Sequence, residues 1–159
     1  MRIRAAVIED IPKLLEMGPG MHADTILSRF TYNEGKALRS LEQLLSDKKG
    51  THCLLLAEGQ NQQIVGVFLG YVSDYFFSQD LVAGNLVFWV EPNHRGTQAA
   101  IKLISAFRRW AENRKVKELS INITSGVDLN RADRFLGKLG FSYTGGNYSM
   151  LLSRTRKAG

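Results

Sequence analysis

Cysteine is nearly absent from this sequence: Cys53 is the only one in 159 residues. A lone thiol excludes an internal disulfide and a cysteine-rich metal site, and it fits a reducing, cytoplasmic compartment. Histidine is scarce as well, and His22, His52 and His94 share no metal-ligand spacing, so no metal is expected. His52 lies in an apolar run and His94 beside a turn, where a structural and an exposed role are the simpler readings. Proline occurs three times, at Pro12, Pro19 and Pro92, so each one marks a boundary to interpret. No stretch of about eighteen apolar residues is present. The start, "MRIRAAVIEDIP", has acidic residues close behind Arg2 and Arg4 and no apolar signal core, so export and membrane spanning are not expected.

What is present suits one domain over residues 1–159, with 44% apolar and 23% charged side chains. The formal charge of +6 points to a polyanionic ligand without choosing between nucleic acid and a phosphorylated cofactor. Basic residues crowd "FRRWAENRKVKE" and the tail "SRTRKAG", a distribution better described as a solvated helix face and a polar tail than as one nucleic-acid patch.

The periodicity predicts a strand at "MRIRAAVIE", then a helix capped by Asp10 with Pro12 in its first turn. "MGPGMHADT" breaks that helix, so residues 18–25 are expected to be a loop. Thr31 and Glu34 have capping-box spacing, and Ala37, Leu38, Leu41, Leu44 and Leu45 follow on one face of a helix over 32–47. "THCLLLAE" and "QIVGVFLGYVS" are two strands about the polar "GQNQQ", and "GNLVFWVEP" is a third, stopped by Pro92. Ala100, Leu103, Ile104, Phe107, Trp110 and Ala111 then recur at helical spacing. "ELSINITS" alternates as a strand, Asp128 caps a last helix that ends at Gly140, and "FSYTGGNYSMLLS" reads as two strands about a turn. Strands alternating with helices in this order demand an α/β (α+β) fold with a mixed sheet and helices on both faces.

The stretch "VEPNHRGTQAAIKLI" carries the chemistry. A strand that stops at proline and turns into a helix aims the unpaired amides of the first helical turn outward, at the positive end of the helix dipole. Such an end binds phosphate. Gly96, Ala99 and Ala100 are small enough for a diphosphate to approach the backbone, and Arg95 adds charge at the mouth. The element order, "LVFWVEPNHRGTQAAIKLISAFRRWA" and "RADRFLGKLGF" together resemble the Gcn5-related N-acetyltransferase superfamily. That resemblance covers nearly the whole chain in element order and these two stretches in motif. It implies a mostly antiparallel central sheet of about six or seven strands. In the family's loop pattern a glycine is usual where Gln98 stands. A position inside the helical turn would tolerate glutamine, whereas a left-handed one would be strained by about 1–2 kcal/mol.

By resemblance, the ligand is acetyl-CoA or a related acyl-CoA, with its diphosphate over Arg95, Gly96, Thr97, Gln98, Ala99 and Ala100. Its pantetheine arm would lie along Phe88, Trp89 and Val90 as an added strand, beside a bulge or splay that frees backbone amides for the thioester carbonyl. Acyl transfer to a primary amine needs no metal and no cysteine nucleophile. The family's strand carboxylate is replaced here by Asn85, which can orient a water but cannot act as a base. Glu91 is the nearest carboxylate, although a strand-end acid is more simply a surface residue. The family's helix tyrosine is replaced by Leu136, leaving Tyr143 and Tyr148 as substitutes for the acid. Asn130 lies one residue after the position of a family asparagine that contacts the cofactor, and His22 and Asp24 fall in the region that lines the acceptor site. The functional expectation is a cytoplasmic N-acetyltransferase for an unidentified amine, with a homodimer left open. Two alternatives stand beside it: a degenerate CoA-binding or partner-binding module, motivated by Gln98, Asn85 and Leu136, and a nucleic-acid-associated transferase using Arg108, Arg109 and Arg114.

Overall fold

Apolar runs at the middle of the chain set the architecture. The computed structural model describes residues 1–124, 126 and 128–152. Its elements are β1 (Arg2–Ala5), α1 (Ile11–Ala23), α2 (Glu34–Ser46), β2 (His52–Glu58), β3 (Ile64–Tyr75), β4 (Ser78–Val90), α3 (Ala99–Glu112), β5 (Glu118–Leu119) and α4 (Leu129–Lys138). The strands form one sheet in the order β1-β2-β3-β4-β5, antiparallel except for the parallel β4–β5 pair. This is the expected mixed, mostly antiparallel sheet. The chain divides into two units, Met1–Ser125, which contains the whole sheet, and Gly126–Gly159, which contains α4.

Strands β2 and β3 are buried along nearly their full shared length, because both of their faces are covered. Leu54, Leu56, Val67 and Leu69 pack with Leu14 of α1, and Met17, Met21, Leu41, Leu44 and Leu45 close over them from α1 and α2. The opposite face belongs to α3, whose Leu103 and Phe107 are fully buried. The rings of Phe107 and Phe68 are 4.6 Å apart, and a Cβ at Gly70 would come within 2.3 Å of the Phe107 ring. Gly70 is therefore what lets α3 sit this close to the sheet.

Five strands are present among the described residues, not six or seven. The expected strands in "FSYTGGNYSMLLS" do not form over residues 141–152, where Tyr148, Met150 and Leu152 are exposed; the last residue of that stretch, Ser153, lies outside the described residues. Among the described residues no strand pairs with them, and alternation without a partner does not make a strand. The expected strand over 118–125, whose last residue Ser125 lies outside the described residues, shortens to Glu118–Leu119 for a related reason: its neighbour changes course, as described below.

The helix α1 runs through residues 18–23, where a loop was expected. Pro19 removes one backbone bond, but Leu14, Met17 and Met21 keep the helical spacing and are held by the core. Asp10 precedes α1 without capping it through its side chain. Its carboxylate turns back to the Val7 amide at 2.8 Å and to the Arg4 guanidinium at 2.7 Å. The α2 cap is Asn33, whose Oδ1 accepts from the Lys36 amide at 2.8 Å, so the expected Thr31–Glu34 box is not the one used. Asp128 does cap α4, accepting from the Arg131 amide at 3.1 Å, and Gly140 follows α4 at φ +88°.

Candidate active site

A bulge in β4 creates the site's edge. Leu69 pairs with Val87 and Gly70 with Asn85, so Leu86 is an extra residue that turns its side chain to solvent. Before the bulge, β4 pairs with β5 at Val82–Glu118 and Ala83–Leu119, and the Ser120 amide donates to the Ala83 carbonyl at 2.8 Å. After it, Leu86–Val90 has no ladder partner on that side among the described residues. The Glu91 amide donates to the Val65 carbonyl at 2.9 Å, so Val87 and Trp89 present their backbone to β3. By alternation, Phe88 and Val90 present theirs to the open side.

Asn85 closes the paired part of this edge. Its Nδ2 donates to the Asn122 carbonyl at 3.1 Å and its Oδ1 accepts from the Asn122 amide at 2.7 Å, as a backbone peptide would. The side chain is buried. A group engaged in both directions is occupied in holding the strands, which is a different task from orienting a water. Because the bulge follows directly, this amide pair is also where β4 and the 120–124 segment stop pairing.

From Val90 the chain enters the loop. A 3-10 turn over Pro92–His94 leads to Arg95 and then to Gly96 at φ +86°, a left-handed conformation that suits glycine. Gln98 is the N-cap of α3 at φ −71° and ψ −6°, within the helical region. The strain considered for Gln98 is absent. The first i→i−4 bond of α3 runs from the Lys102 amide to the Gln98 carbonyl at 2.9 Å, so the amides of Ala99, Ala100 and Ile101 have no partner within the helix, and of these residues Ala99 is fully buried. Ala99 N–H leans on Thr97 Oγ1 at 3.3 Å, and Thr97 Oγ1 donates to the His94 carbonyl at 2.7 Å.

Arg95 does not extend freely from this loop. Its Nε donates to the Val90 carbonyl at 3.0 Å and its Nη2 to Asp24 Oδ2. The same Asp24 oxygen accepts from the Trp89 indole at 3.0 Å. Asp24 caps the C-terminus of α1, in the segment expected to be a loop. The sequence signal for this contact was present in the spacing of Leu14, Met17 and Met21, which carries α1 as far as Asp24.

The remaining predicted residues fall in both units. Glu91 lies 2.8 Å from His94 Nδ1 at the surface end of β4. His22, in the last turn of α1, has its ring 5.6 Å from that of Tyr32, and its Nε2 is buried without a hydrogen-bond partner. Burial raises the Tyr32 hydroxyl above its usual range, and the charge of Glu34 adds to this. Asn130 and Leu136 lie on α4, with Asn130 exposed, and Tyr143 and Tyr148 are exposed in the second unit. No group of three or more His, Cys, Asp and Glu is placed to hold a metal ion among the described residues. Nor is any helix there long and apolar enough to cross a membrane.

The bulged strand, the left-handed glycine and the helix end lie in consecutive sequence, and all fall inside residues 21–141, which match the model of the acetyltransferase (GNAT) family. The chain belongs to the GNAT family of acetyltransferases. Several solved structures share its fold over nearly the full length. The aminoglycoside 6'-N-acetyltransferase AAC(6')-IG of Acinetobacter haemolyticus superposes with a TM-score of 0.72 at 20% identity, covering 97% of this chain and 99% of that one. AAC(6')-Iy, solved with a CoA-containing bisubstrate analogue, gives 0.73 at 17% identity over 98% of this chain and 97% of that one. A transcriptional regulator from Bacillus halodurans gives 0.73 at 22% identity over 95% of this chain and 99% of that one. These identities establish a common fold and leave the acceptor open. No curated protein sequence matches this GNAT chain.

Proposed function

We propose that the protein is a cytoplasmic N-acetyltransferase that moves the acetyl group of acetyl-CoA directly to a primary amine, and that residues 1–159 work as one such domain. The observation that carries this is the continuity of an unpaired β4 edge with a glycine turn and a helix N-terminus. The amides at the head of α3 suit a diphosphate, and Gly96, Ala99 and Ala100 leave room for it. The backbone of Phe88 and the amide of Val90 suit the amides of a pantetheine arm. A backbone N–H on this edge would donate to the thioester oxygen as charge builds there, while the amine nitrogen forms the new C–N bond and the C–S bond breaks to release thiolate. The amine must arrive neutral, because an ammonium has no lone pair. Glu91 is the carboxylate proposed to accept the proton that the amine loses, and Tyr143 the group proposed to meet the thiolate. Asn85 is assigned to positioning through its hold on Asn122.

Arg114 weighs against the nucleic-acid alternative. It stacks over Trp110 with 4.0 Å from guanidinium to ring centre and donates to the Gly50 carbonyl at 3.0 Å, which ties the end of α3 to the start of β2. Arg108 is paired with Glu112 at 2.7 Å. Helix electrostatics and packing thus account for much of this basic face. Calorimetry with CoA and desulfo-CoA tests the cofactor, and thiol release from acetyl-CoA over a panel of primary amines tests the reaction. Absence of CoA binding at millimolar concentration sinks the proposal. Binding without release on any amine favours the degenerate module.

A further inference from the structure

Resting on the acetyl-CoA reading above, we infer that Asp24 is the positioning residue of the cofactor loop and that Arg95 is a strut between α1 and the β4 edge, not a ligand of the diphosphate. The guanidinium is fixed in two directions, by the Val90 carbonyl and by the Asp24 carboxylate. Val90 presents its carbonyl to the open side of β4, so Arg95 folds back along the strand, away from the amides that head α3. The ion pair is largely shielded, with side-chain exposures of 29% for Arg95 and 25% for Asp24. A single oxygen, Asp24 Oδ2, holds both the strand residue Trp89 and the loop residue Arg95.

Helix stability does not explain this carboxylate. An acid at a helix C-terminus opposes the macrodipole, so Asp24 costs α1 some stability and serves something else. What it serves follows from the loop. Arg95 is pinned on one side, and on the other Thr97, just before the N-cap Gln98, is tied to the His94 carbonyl and to the Ala99 amide, leaving Gly96 as the adjustable residue between two fixed ends. The strut also cancels the charge of Arg95, so recognition of phosphate falls to the backbone amides.

The two roles for Arg95 predict opposite signs. A phosphate ligand competes with Asp24, so removing Asp24 would free a cation and tighten binding. A strut loses its anchor, so removing Asp24 weakens binding. The experiment is calorimetric titration of CoA and desulfo-CoA into the full chain carrying Asp24→Ala, Asp24→Asn, Arg95→Gln or the Asp24→Ala/Arg95→Gln pair. We expect each single change to alanine or glutamine to weaken binding about tenfold, close to the loss of one shielded charge-assisted contact. The double variant is expected to be no weaker than the worse single one, because both remove the same strut. The salt dependence of CoA binding should be unchanged by Arg95→Gln, since no phosphate contact is lost. Asp24→Asn keeps the shape but removes the charge that pairs with Arg95, so it should weaken binding in the same direction, severalfold, and it carries the test if Asp24→Ala fails to melt as a folded protein. Equal or tighter CoA binding in the Asp24 variants overturns the strut and returns Arg95 to the diphosphate. No CoA binding by the unsubstituted chain overturns the transferase reading together with it.

Discussion

Gly96 and Gln98 are two residues apart in one loop, and their backbones make different demands. Gly96 at φ +86° needs a residue without a Cβ, so Gly96→Ala should cost about 1–2 kcal/mol locally. Because that strain falls between two fixed ends of the loop, it should appear as a severalfold rise in the CoA dissociation constant measured by calorimetry. Gln98 is already helical, so Gln98→Gly should leave the dissociation constant within about twofold, since glycine is nearly as good as a polar residue at a helix N-cap. A gain of tenfold or more from Gln98→Gly would mean that the glutamine side chain obstructs the cofactor. The sequence distinguished these positions only in part: the motif identified both, but the angle that makes one indispensable is a property of the folded loop. Asn85 shows the same limit, because its partner Asn122 is 37 residues away and nothing local announces the pair.

At the scale of elements, the legible features were those driven by burial and the illegible ones those driven by neighbours. Strands β2 and β3 and the helix α3 follow directly from apolar periodicity. The early end of β5 depends on a bulge in β4, and the persistence of α1 past Pro19 depends on Met17 and Met21 meeting the sheet. The junction of β1 and β2 ends carries a further consequence of neighbours. Arg4 bonds Glu58 at 2.5 Å through Nε and Asp10 at 2.7 Å through both terminal nitrogens, with side-chain exposures of 25%, 9% and 11% for Arg4, Glu58 and Asp10. The hydrogen bonds from Arg4, partly offset by burial, hold the Asp10 carboxyl below its ordinary value of 3.8. A depressed carboxyl contributes stability that is complete above its unfolded value and is lost as pH falls through the folded one. Thermal melting should therefore hold steady down to about pH 5 and fall below about pH 4, with a shallower fall in Asp10→Asn. Arg4→Ala, which leaves two shielded carboxylates without their cation, should cost about 3 kcal/mol at neutral pH by urea unfolding.

For the whole molecule, Cys53 offers a measure of the folded state that does not depend on any reaction. It lies near the start of β2, opposite Gly70 of β3, and burial pushes its thiol up to about 11, since a thiolate there would lack water. At pH 8 the native thiol is almost wholly protonated as well as covered, so reaction with a thiol reagent requires the sheet to open. Under conditions where opening and closing are fast, the rate of labelling follows the population of the open form. A ligand that binds only the native state lowers that population by a factor of about 1 + [L]/Kd, so desulfo-CoA at a hundred times its dissociation constant should slow labelling about a hundredfold. Desulfo-CoA has no thiol to compete for the reagent, which keeps the measurement clean. Protection of that size would establish cofactor binding to the folded chain independently of the proposed acceptor, and whether or not Glu91 and Tyr143 move protons. Labelling of Cys53 at an undiminished rate under saturating desulfo-CoA would instead place the bound state and the open sheet in the same population, and that is incompatible with a diphosphate seated on the helix that packs against β2 and β3.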